Sequence, residues 1–462
     1  MILILLTIIG ILFLALELED RLKVPSPLGL ILLSCIAHLL FGGAFNLGGD
    51  PAHFAKLVVL LLPILLISDS LELKIKDLRE HGLSLFYLAV VSVSLSVLLG
   101  IATALTLFQD YDLSIASIIA LFAMVLATDP VSVVSIFSKF ELPHRLKILA
   151  EGESLLNDAT ALIVFVYIGL YAMEGGHLST GYVASTSLTV IGGSALLGIG
   201  VGFIGLLIMK TTVNRISEML LLVLAGYLAF ELSEYFYYIL NLFGGHSHFH
   251  LSGILACIFA VITVNHLLTR EVAKEEETIH RSEEEIHIEA ETREPSRSLI
   301  AAALGRLEAT VGEHERHRRT KEDVQLLALV ANTILFIAMA EIINVDLLWK
   351  YRVEIIIMFV ATTVIRALMM AKFAFITNQT TKMTDVNFRW WSVLTFAGIK
   401  GGLSVVMLMM IPRSFPHLEM FQAIVVGIIL LSTFVYSAVL VAVIAKNREI
   451  FRREKQEEHG AH

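Results

Sequence analysis

The stretch ATDPVSVVSIFSKFELPHRLKILAEGESLLNDATALIVF, residues 127–165, decides the fold because it places acidic side chains inside two apolar segments. Ionisable groups within a membrane span are costly and are usually functional. Asp129 and Asp158 lie at membrane depth, and Glu153 and Asn157 lie beside Asp158. The stretch therefore predicts a buried site for a small cation or a proton.

The composition around this stretch is that of a polytopic membrane protein. The 462 residues are 56% hydrophobic and only 17% charged, with a mean hydropathy of +0.78. A soluble domain averages about 25% charged residues. No basic patch with interleaved aromatics is present, which argues against a nucleic-acid partner. Cys35 and Cys257 lie in apolar runs and are poor candidates for a disulfide framework or a metal site.

Long apolar runs predict an all-α protein of thirteen spans, because backbone groups in lipid must be satisfied within a helix. The first run lacks the basic start and the cleavage site of a signal peptide, so we expect it to remain as a span. The predicted spans lie near 1–18, 26–44, 54–71, 84–107, 114–138, 144–173, 182–209, 216–240, 250–269, 325–345, 352–378, 390–411 and 419–446.

Lys and Arg concentrate in alternate loops, which is typical of the cytoplasmic side. This series runs from Arg21 and Lys23 to the basic tail at 446–455. It predicts an outside N-terminus and a cytoplasmic C-terminus, which agrees with an odd number of spans. We expect an integral protein of a prokaryotic inner membrane.

The fifth and twelfth spans are predicted to be broken. Pro130 lacks an N–H and disfavours helical geometry at Asp129, so the helix should unwind around Thr128 and free backbone carbonyls. A simple proline kink is the alternative, but an aspartate directly before the proline favours a functional break. Glycines at 398, 401 and 402 weaken the twelfth span. Interrupted helices at matching positions of two inverted six-helix repeats mark a transporter's binding site.

On the sixth span, Ser154 and Asp158 share one helix face, and Glu153 and Asn157 share the adjoining stripe. Arg366 and Lys400 lie in apolar runs, and each is a candidate partner for a buried acid. We expect Glu153 to be neutralised structurally and Asp158 to remain available for chemistry.

These residues offer a hard monovalent cation its preferred oxygen ligands. Asp158, Ser154, the backbone around Thr128, and Asp129 directly or through water form the predicted sodium site. Burial favours the protonated form of a carboxylate and a bound cation favours the ionised form, so proton and cation compete. If Asp158 alone carries the exchanged charge, exchange is electroneutral, and the neutral Asn157 only holds the site together.

The chain resembles the monovalent cation:proton antiporters of the first superfamily, the NhaP and NHE type. The matching segments are ATDPVSVVSIF (127–137), GESLLNDATALIVF (152–165), HLSGILA (250–256), IRALMMA (365–371) and, more weakly, GIKGGLSVV (398–406). The resemblance implies the inverted-repeat antiporter fold and a homodimer with a dimerisation domain and a moving core. It also implies ion binding at Thr128, Asp129, Ser154 and Asp158, with a structural ion pair between Glu153 and Arg366.

Within the antiporter domain at 1–446, we expect the core to comprise the helices at about 84–173 and 325–446, and the remaining helices to form the scaffold. A charged cytoplasmic loop at 270–324 and a cytoplasmic tail at 447–462 complete the expected organisation. The loop is solvated and partly helical or disordered, or it is a pH-responsive element through its histidines. Those histidines are His280, His287, His314 and His317.

The chain departs from the resemblance at three places. The stretch LPILLISDSL (62–71) lacks the family's common Phe-Glu pair and has Asp69 nearby, so no residue role is transferred there. Lys400 stands where the family usually has arginine, and a buried lysine can alter proton coupling. The extra stretch 232–249 leads into the GGHSHFH sequence, whose histidines are either metal ligands or part of a polar extracellular loop. They are His246, His248 and His250.

We expect a transporter rather than an enzyme, with membrane lipid, a monovalent cation and the proton as its partners and no cofactor beyond the transported Na⁺ (or Li⁺) and H⁺. A potassium/proton antiporter of the same fold is the first alternative. A channel and an intramembrane aspartyl protease using Asp129 and Asp158 are remoter alternatives. The protease lacks its Gly-x-Gly-Asp element here.

Overall fold

The structure is a computed structural model that describes residues 2–22, 26–41, 51–73, 75–212, 214–242, 251–269, 297–380 and 383–460. Every regular element within these ranges is a helix. The helices are α1 (Ile2–Leu22), α2 (Ser26–Phe41), α3 (Pro51–Glu72), α4 (Ile75–Leu107), α5a (Ile115–Leu126), α5b (Pro130–Phe137), α6 (His144–Met173), α7 (Thr180–Met209), α8 (Arg215–Glu234), α9 (Gly253–Thr269), α10 (Arg297–Ile342), α11 (Arg352–Thr377), α12a (Phe388–Phe396), α12b (Gly402–Met410), α13 (Leu418–Lys446) and α14 (Arg448–Gly460).

The predicted all-α membrane architecture is confirmed. Among the described residues, eight helices are long and apolar enough to cross a membrane, and two shorter apolar helices accompany them. Each predicted span coincides with a helix or a pair of half-helices, although the number thirteen as a count of true crossings stays a prediction. Short helices at Phe236–Leu242 and Val345–Lys350 complete the described secondary structure.

The largest difference from the predicted boundaries concerns α10. This helix begins at Arg297 rather than near 325, so much of the expected cytoplasmic loop is helical. The charged residues of this segment alternate with good helix formers, and opposite charges three or four residues apart support helical structure. Glu315 pairs in this way with Arg318 at 2.8 Å and with Arg319 at 2.7 Å. His280 and His287 lie outside the described residues.

The chain divides into two compact units. Unit 1 comprises Met1–Leu62, Lys76–Val190 and Val330–His462, and unit 2 comprises Pro63–Ile75 and Ile191–Leu329. Unit 1 has a large apolar core of aromatic and branched side chains, including the fully buried Phe137, Phe373 and Tyr436. In unit 2, small residues allow close packing: a Cβ on Gly198 would lie 2.3 Å from the carbonyl oxygen of Ala256.

Both predicted breaks are present in unit 1. The first separates α5a from α5b at residues 127–129, and Pro130 occupies the first helical position, where its missing N–H costs nothing. The second separates α12a from α12b at residues 397–401. The two breaks contact each other, because the Asp129 N–H donates to the Ile399 carbonyl at 2.7 Å. The interrupted segments therefore meet at their breaks.

Candidate ion-binding site

The centre of the site is Asp158 on α6 facing the break in α5. One carboxylate oxygen of Asp158, Oδ1, accepts the Thr128 N–H at 2.8 Å. The Thr128 N–H is available to Asp158 because the helix is unwound at Thr128 and this N–H has no acceptor within the helix. Among the described residues, the second oxygen, Oδ2, accepts no hydrogen bond. Asp158 as a whole is only 6% exposed.

Two hydroxyl groups accompany the carboxylate. The Ser154 hydroxyl, one helical turn before Asp158, donates to Thr128 Oγ1 at 2.8 Å. The Thr128 hydroxyl in turn lies 3.5 Å from the Ser154 carbonyl oxygen. A hydroxyl oxygen keeps lone pairs after donating its proton. The predicted neighbours Thr128, Ser154 and Asp158 are thus brought together as a set of oxygen atoms.

Asn157 links α6 to the unwound segment. Its Nδ2 donates to the Leu126 carbonyl at 3.1 Å and lies 3.3 Å from Glu153 Oε1 and 3.4 Å from Thr128 Oγ1. The Leu126 carbonyl and the Glu153 carboxylate can only accept, which fixes the orientation of the amide. Asn157 therefore holds α6 against the C-terminal end of α5a.

Glu153 forms a buried bidentate ion pair with Arg366 of α11. The two N–H···O distances are 3.0 and 2.8 Å, and the side chains are 3% and 8% exposed. Arg366 also donates to the carbonyls of Thr395 and Leu394, each at 3.0 Å. One guanidinium group thus connects α6, α11 and the end of α12a.

Asp129 has a different environment from Asp158. It is the N-cap of α5b: Oδ1 accepts the Val131 N–H at 3.2 Å, and Oδ2 accepts the Ser132 hydroxyl. We did not single out Ser132 from the sequence. An aspartate followed by proline is nevertheless a recognisable helix start, and that signal predicts the cap.

Lys400 lies at the second break and is 4% exposed. Its ammonium group donates to the Leu126 carbonyl at 3.1 Å, so it balances the negative end of α5a. Its backbone N–H donates to the Ser432 hydroxyl at 3.0 Å. Ser432 begins a π-helical turn in α13, Ser432–Tyr436, and sequence reasoning gave no sign of either feature.

The glycines of the second break are needed for close approach as well as for weakening the helix. A Cβ on Gly398 would lie 2.3 Å from Arg366 Nε, and a Cβ on Gly401 would lie 2.7 Å from the Cβ of Asp129. Real Cβ atoms essentially never come this close. Both glycines therefore let a charged side chain of another helix reach the break.

The part of the chain that the structure describes contains no group of three or more His, Cys, Asp or Glu side chains that could hold a metal ion. His246, His248 and His250 lie outside that part. The oxygen set at Asp158 suits a small, hard monovalent cation, which takes carboxylate, hydroxyl and carbonyl ligands. The same carboxylate can take a proton instead.

Comparison with protein families supports this chemistry. Residues 4–283 match the family model described as the transmembrane part of sodium/hydrogen exchangers. The Na(+)/H(+) antiporter ApNhaP of Aphanothece halophytica is 26% identical over 389 residues, covering 84% of this chain and 64% of that protein. The Na(+)/H(+) antiporter NhaG of Bacillus atrophaeus is 25% identical over 428 residues, covering 89% and 68%. The chain thus spans about two thirds of the length of these relatives.

The fold is also similar to a solved structure. The sodium proton antiporter MjNhaP1 of Methanocaldococcus jannaschii, determined at pH 8, superposes with a TM-score of 0.65. The similarity covers 97% of this chain and 98% of that chain at 16% sequence identity. At this identity, the comparison establishes the fold and nothing finer.

Proposed function

Because this chain belongs to the sodium/hydrogen exchanger family, we propose that it exchanges Na⁺ for H⁺ across a membrane at Asp158. The observation that carries the proposal is the contact between Asp158 and the unwound Thr128, which leaves Asp158 Oδ2 free of hydrogen bonds from the described residues. An integral membrane protein with a buried, partly unsatisfied carboxylate needs a proton or a cation at that oxygen.

In the proposed mechanism, protonated Asp158 and ionised Asp158 bound to Na⁺ are alternatives. Thr128 Oγ1 and Ser154 Oγ supply further ligands, and Asp129 contributes directly or through water. Glu153 and Arg366 neutralise each other, so neither exchanges a proton in the cycle, and Lys400 stabilises the end of α5a. One proton then leaves for each Na⁺ bound, and exchange is electroneutral.

The separate environments of the two aspartates argue against the aspartyl protease alternative. Such enzymes use two carboxylates that share one proton. Here Asp158 bonds to Thr128, whereas Asp129 bonds to Val131 and Ser132 of its own helix.

The experiment that tests the proposal is proton flux in proteoliposomes with an imposed pH gradient and a pH-reporting dye. Sodium, lithium and potassium are added in turn, with the membrane potential clamped. We expect sodium to dissipate the gradient at every clamped potential, and Asp158→Asn to abolish the flux while the protein remains monodisperse. Asp346→Asn makes the same chemical change at an exposed position and should leave the flux unchanged.

The outcomes separate the alternatives. Flux with potassium alone would keep the site and replace the substrate. Flux that follows the potential without proton coupling would indicate a channel. Parental rates in folded Asp158→Asn protein would refute the mechanism.

We further infer that the protein is a homodimer in a prokaryotic inner membrane, with its N-terminus outside and its C-terminus in the cytoplasm. The prokaryotic sources of ApNhaP and NhaG support the membrane, and the distribution of Lys and Arg in alternate loops supports the orientation. The homodimer follows from the family resemblance. Mass measurement in detergent tests the dimer. Labelling of single cysteines placed at residues 177 and 456, in a variant lacking Cys35 and Cys257, tests the orientation. Residue 177 should label from outside, and residue 456 should label only after permeabilisation.

A further inference from the structure

The turn between α10 and α11 carries a charged and aromatic patch that the proposed exchange does not use. It consists of the short helix Val345–Lys350, which contains Trp349, and of Arg352 at the start of α11. Basic residues are unusual here, because the loops predicted on this side of the membrane otherwise carry few Lys or Arg. Trp349 is 71% exposed, and Val345, one turn earlier on the same helix face, is 64% exposed. The turn lies entirely within unit 1.

The patch leads into an exposed apolar stripe of α11. The apolar side chains of this stripe are each at least 50% exposed: Val353, Ile356, Val360, Val364 and Leu368. They recur every three or four residues, so they share one face of the helix. α11 is long and apolar enough to cross a membrane, and we expect such a face of a spanning helix to contact the acyl chains of lipid.

Two exposed cations on α11 set the depth of the patch in the membrane. Arg352 and Lys372 are 20 residues apart on this uninterrupted helix. At about 1.5 Å per residue, they are separated by about 30 Å, which is the thickness of the hydrocarbon core of a bilayer. Each cation therefore lies near one surface of the membrane. Arg352 and the neighbouring Trp349 lie at headgroup depth, where tryptophan is enriched in membrane proteins.

Arg352 is held by Trp349 but keeps hydrogen-bond donors available. Its Cζ lies over the indole ring, 4.9 Å from the ring centroid, and its Nη1 donates to the Trp349 carbonyl at 2.9 Å. The guanidinium has five N–H donors, so most of them remain after this bond. No carboxylate within the described ranges pairs with Arg352. The cation–π contact and the carbonyl bond therefore position a charge that has no counter-ion in the described chain.

The acidic groups of the same turn are engaged elsewhere. Glu419 at the start of α13 pairs with Lys350 at 2.9 Å, and Glu354 accepts a tyrosine hydroxyl at 2.5 Å. Asp346 lies in the first turn of the short helix, whose positive end favours a carboxylate. The charge of Lys350 is therefore offset by Glu419, whereas Arg352 is the cation that an approaching anion would meet.

We propose that Arg352 and Trp349 bind the headgroup phosphate of an anionic phospholipid whose acyl chains cover the exposed stripe of α11. A guanidinium binds phosphate oxygens through two parallel N–H bonds. The phosphate of phosphatidylcholine is offset by the choline cation of the same lipid, whereas phosphatidylglycerol has no such cation. An arginine without a counter-ion therefore prefers the anionic lipid. Under the proposed orientation this lipid belongs to the outer leaflet, and its binding does not depend on the proposed exchange.

The test measures quenching of Trp349 fluorescence by brominated lipids in reconstituted vesicles. The Trp349 signal is the difference between the parent and Trp349→Phe, because Trp390 and Trp391 remain in both proteins. Vesicles contain phosphatidylglycerol with brominated acyl chains in unlabelled phosphatidylcholine, or the reverse, at equal mole fractions. We expect phosphatidylglycerol to be preferred at Trp349 about fivefold, which is the contribution of one basic residue near an anionic membrane surface. This preference should fall as salt is raised from about 0.1 M to about 1 M, because salt screens exposed charges.

Two variants separate the phosphate contact from general attraction to the membrane. Arg352→Gln should abolish the preference for phosphatidylglycerol. Lys372→Gln removes an exposed cation at the other end of α11 and should keep the preference. Bromines on the upper part of the acyl chains should quench Trp349 more than bromines near the chain ends, because Trp349 lies at headgroup depth.

Three outcomes would overturn the proposal. Equal quenching of the parent by the two lipids would show that no anionic lipid is selected, and this result needs no variant. An unchanged preference in Arg352→Gln would show that the guanidinium does not bind the phosphate. Absence of quenching by any brominated lipid would show that another partner, such as a second copy of the chain, covers this face.

Discussion

Removing Arg366 should destabilise the protein more than any comparable change at an exposed ion pair. Its guanidinium donates two bonds to Glu153, at 3.0 and 2.8 Å, and one each to the carbonyls of Thr395 and Leu394. In Arg366→Met, the Glu153 carboxylate is left as an unpaired charge that is 3% exposed. Breaking a buried pair in this way costs about 3–5 kcal/mol.

The structure also predicts the order in which variants of this ion pair lose stability. Glu153→Gln keeps an oxygen that can accept from Arg366, and Arg366 keeps its two carbonyl partners, so the loss should be smaller than in Arg366→Met. The double variant Glu153→Leu with Arg366→Met removes both buried charges. It should recover part of the loss but stay below the parent, because the carbonyls of Leu394 and Thr395 lose their donor.

The assay is thermal unfolding of the purified protein in one detergent, and the readout is the fraction of protein that stays monodisperse at each temperature. Lys350 and Glu419 provide the control: they pair at 2.9 Å with side chains 56% and 63% exposed. Lys350→Met should leave the melting temperature nearly unchanged, because exposed ion pairs contribute little to stability. If Arg366→Met is as thermostable as Lys350→Met, the ion pair does not hold the helices together.

Two further predictions concern the second break and the ends of the helices. Gly401→Ala should impair both stability and flux, because its Cβ would lie 2.7 Å from the Asp129 Cβ. Gly402→Ala is the control and should be tolerated, because no atom lies nearer than 3.9 Å to its Cβ. Equal thermostability and flux in the two variants would contradict the steric argument. A hydrogen bond of 2.5 Å to Glu354 raises the pKa of Tyr111 to about 12. Because the pKa of Tyr111 is higher in the folded protein, the hydrogen bond stabilises the fold fully below the pKa of the unfolded chain, about 10, and this stabilisation is lost as the pH rises toward the folded pKa. Tyr111→Phe should therefore lower the melting temperature at neutral pH, and its effect should shrink as the pH rises above about 10. A pH-independent difference would show that packing, rather than the hydrogen bond, is responsible.

Local signals in the sequence were sufficient to predict the helices and their interruptions. The spans followed from hydropathy, since a helix in lipid must be apolar over most of its length. The first break followed from Pro130, whose missing N–H and steric effect on Asp129 act on the chain's nearest neighbours. The start of α10 was predicted too late, because its N-terminal part is polar and hydropathy does not detect a polar helix.

The close contacts at the second break were not visible from the sequence. Gly398 and Gly401 predicted a weakened helix, but the structure gives a second reason, namely the approach of Arg366 and Asp129. Ser432 was missed for a similar reason: its hydroxyl acts on Lys400, 32 residues earlier, through a π-helical turn that leaves no clear mark in the sequence.

The sequence by itself determined that this is an all-helical membrane protein of the exchanger type with acidic residues at two broken spans, because hydropathy, proline chemistry and a specific motif are all local properties. Only the tertiary structure decided which buried charges meet. Glu153 and Arg366 are 213 residues apart, and His317 and Glu218 are 99 residues apart. By residue type alone, Arg366 and Lys400 were both candidate partners, and the family resemblance implied the pair of Glu153 with Arg366. The packing of the helices brings the arginine to Glu153 and the lysine to the carbonyl of Leu126.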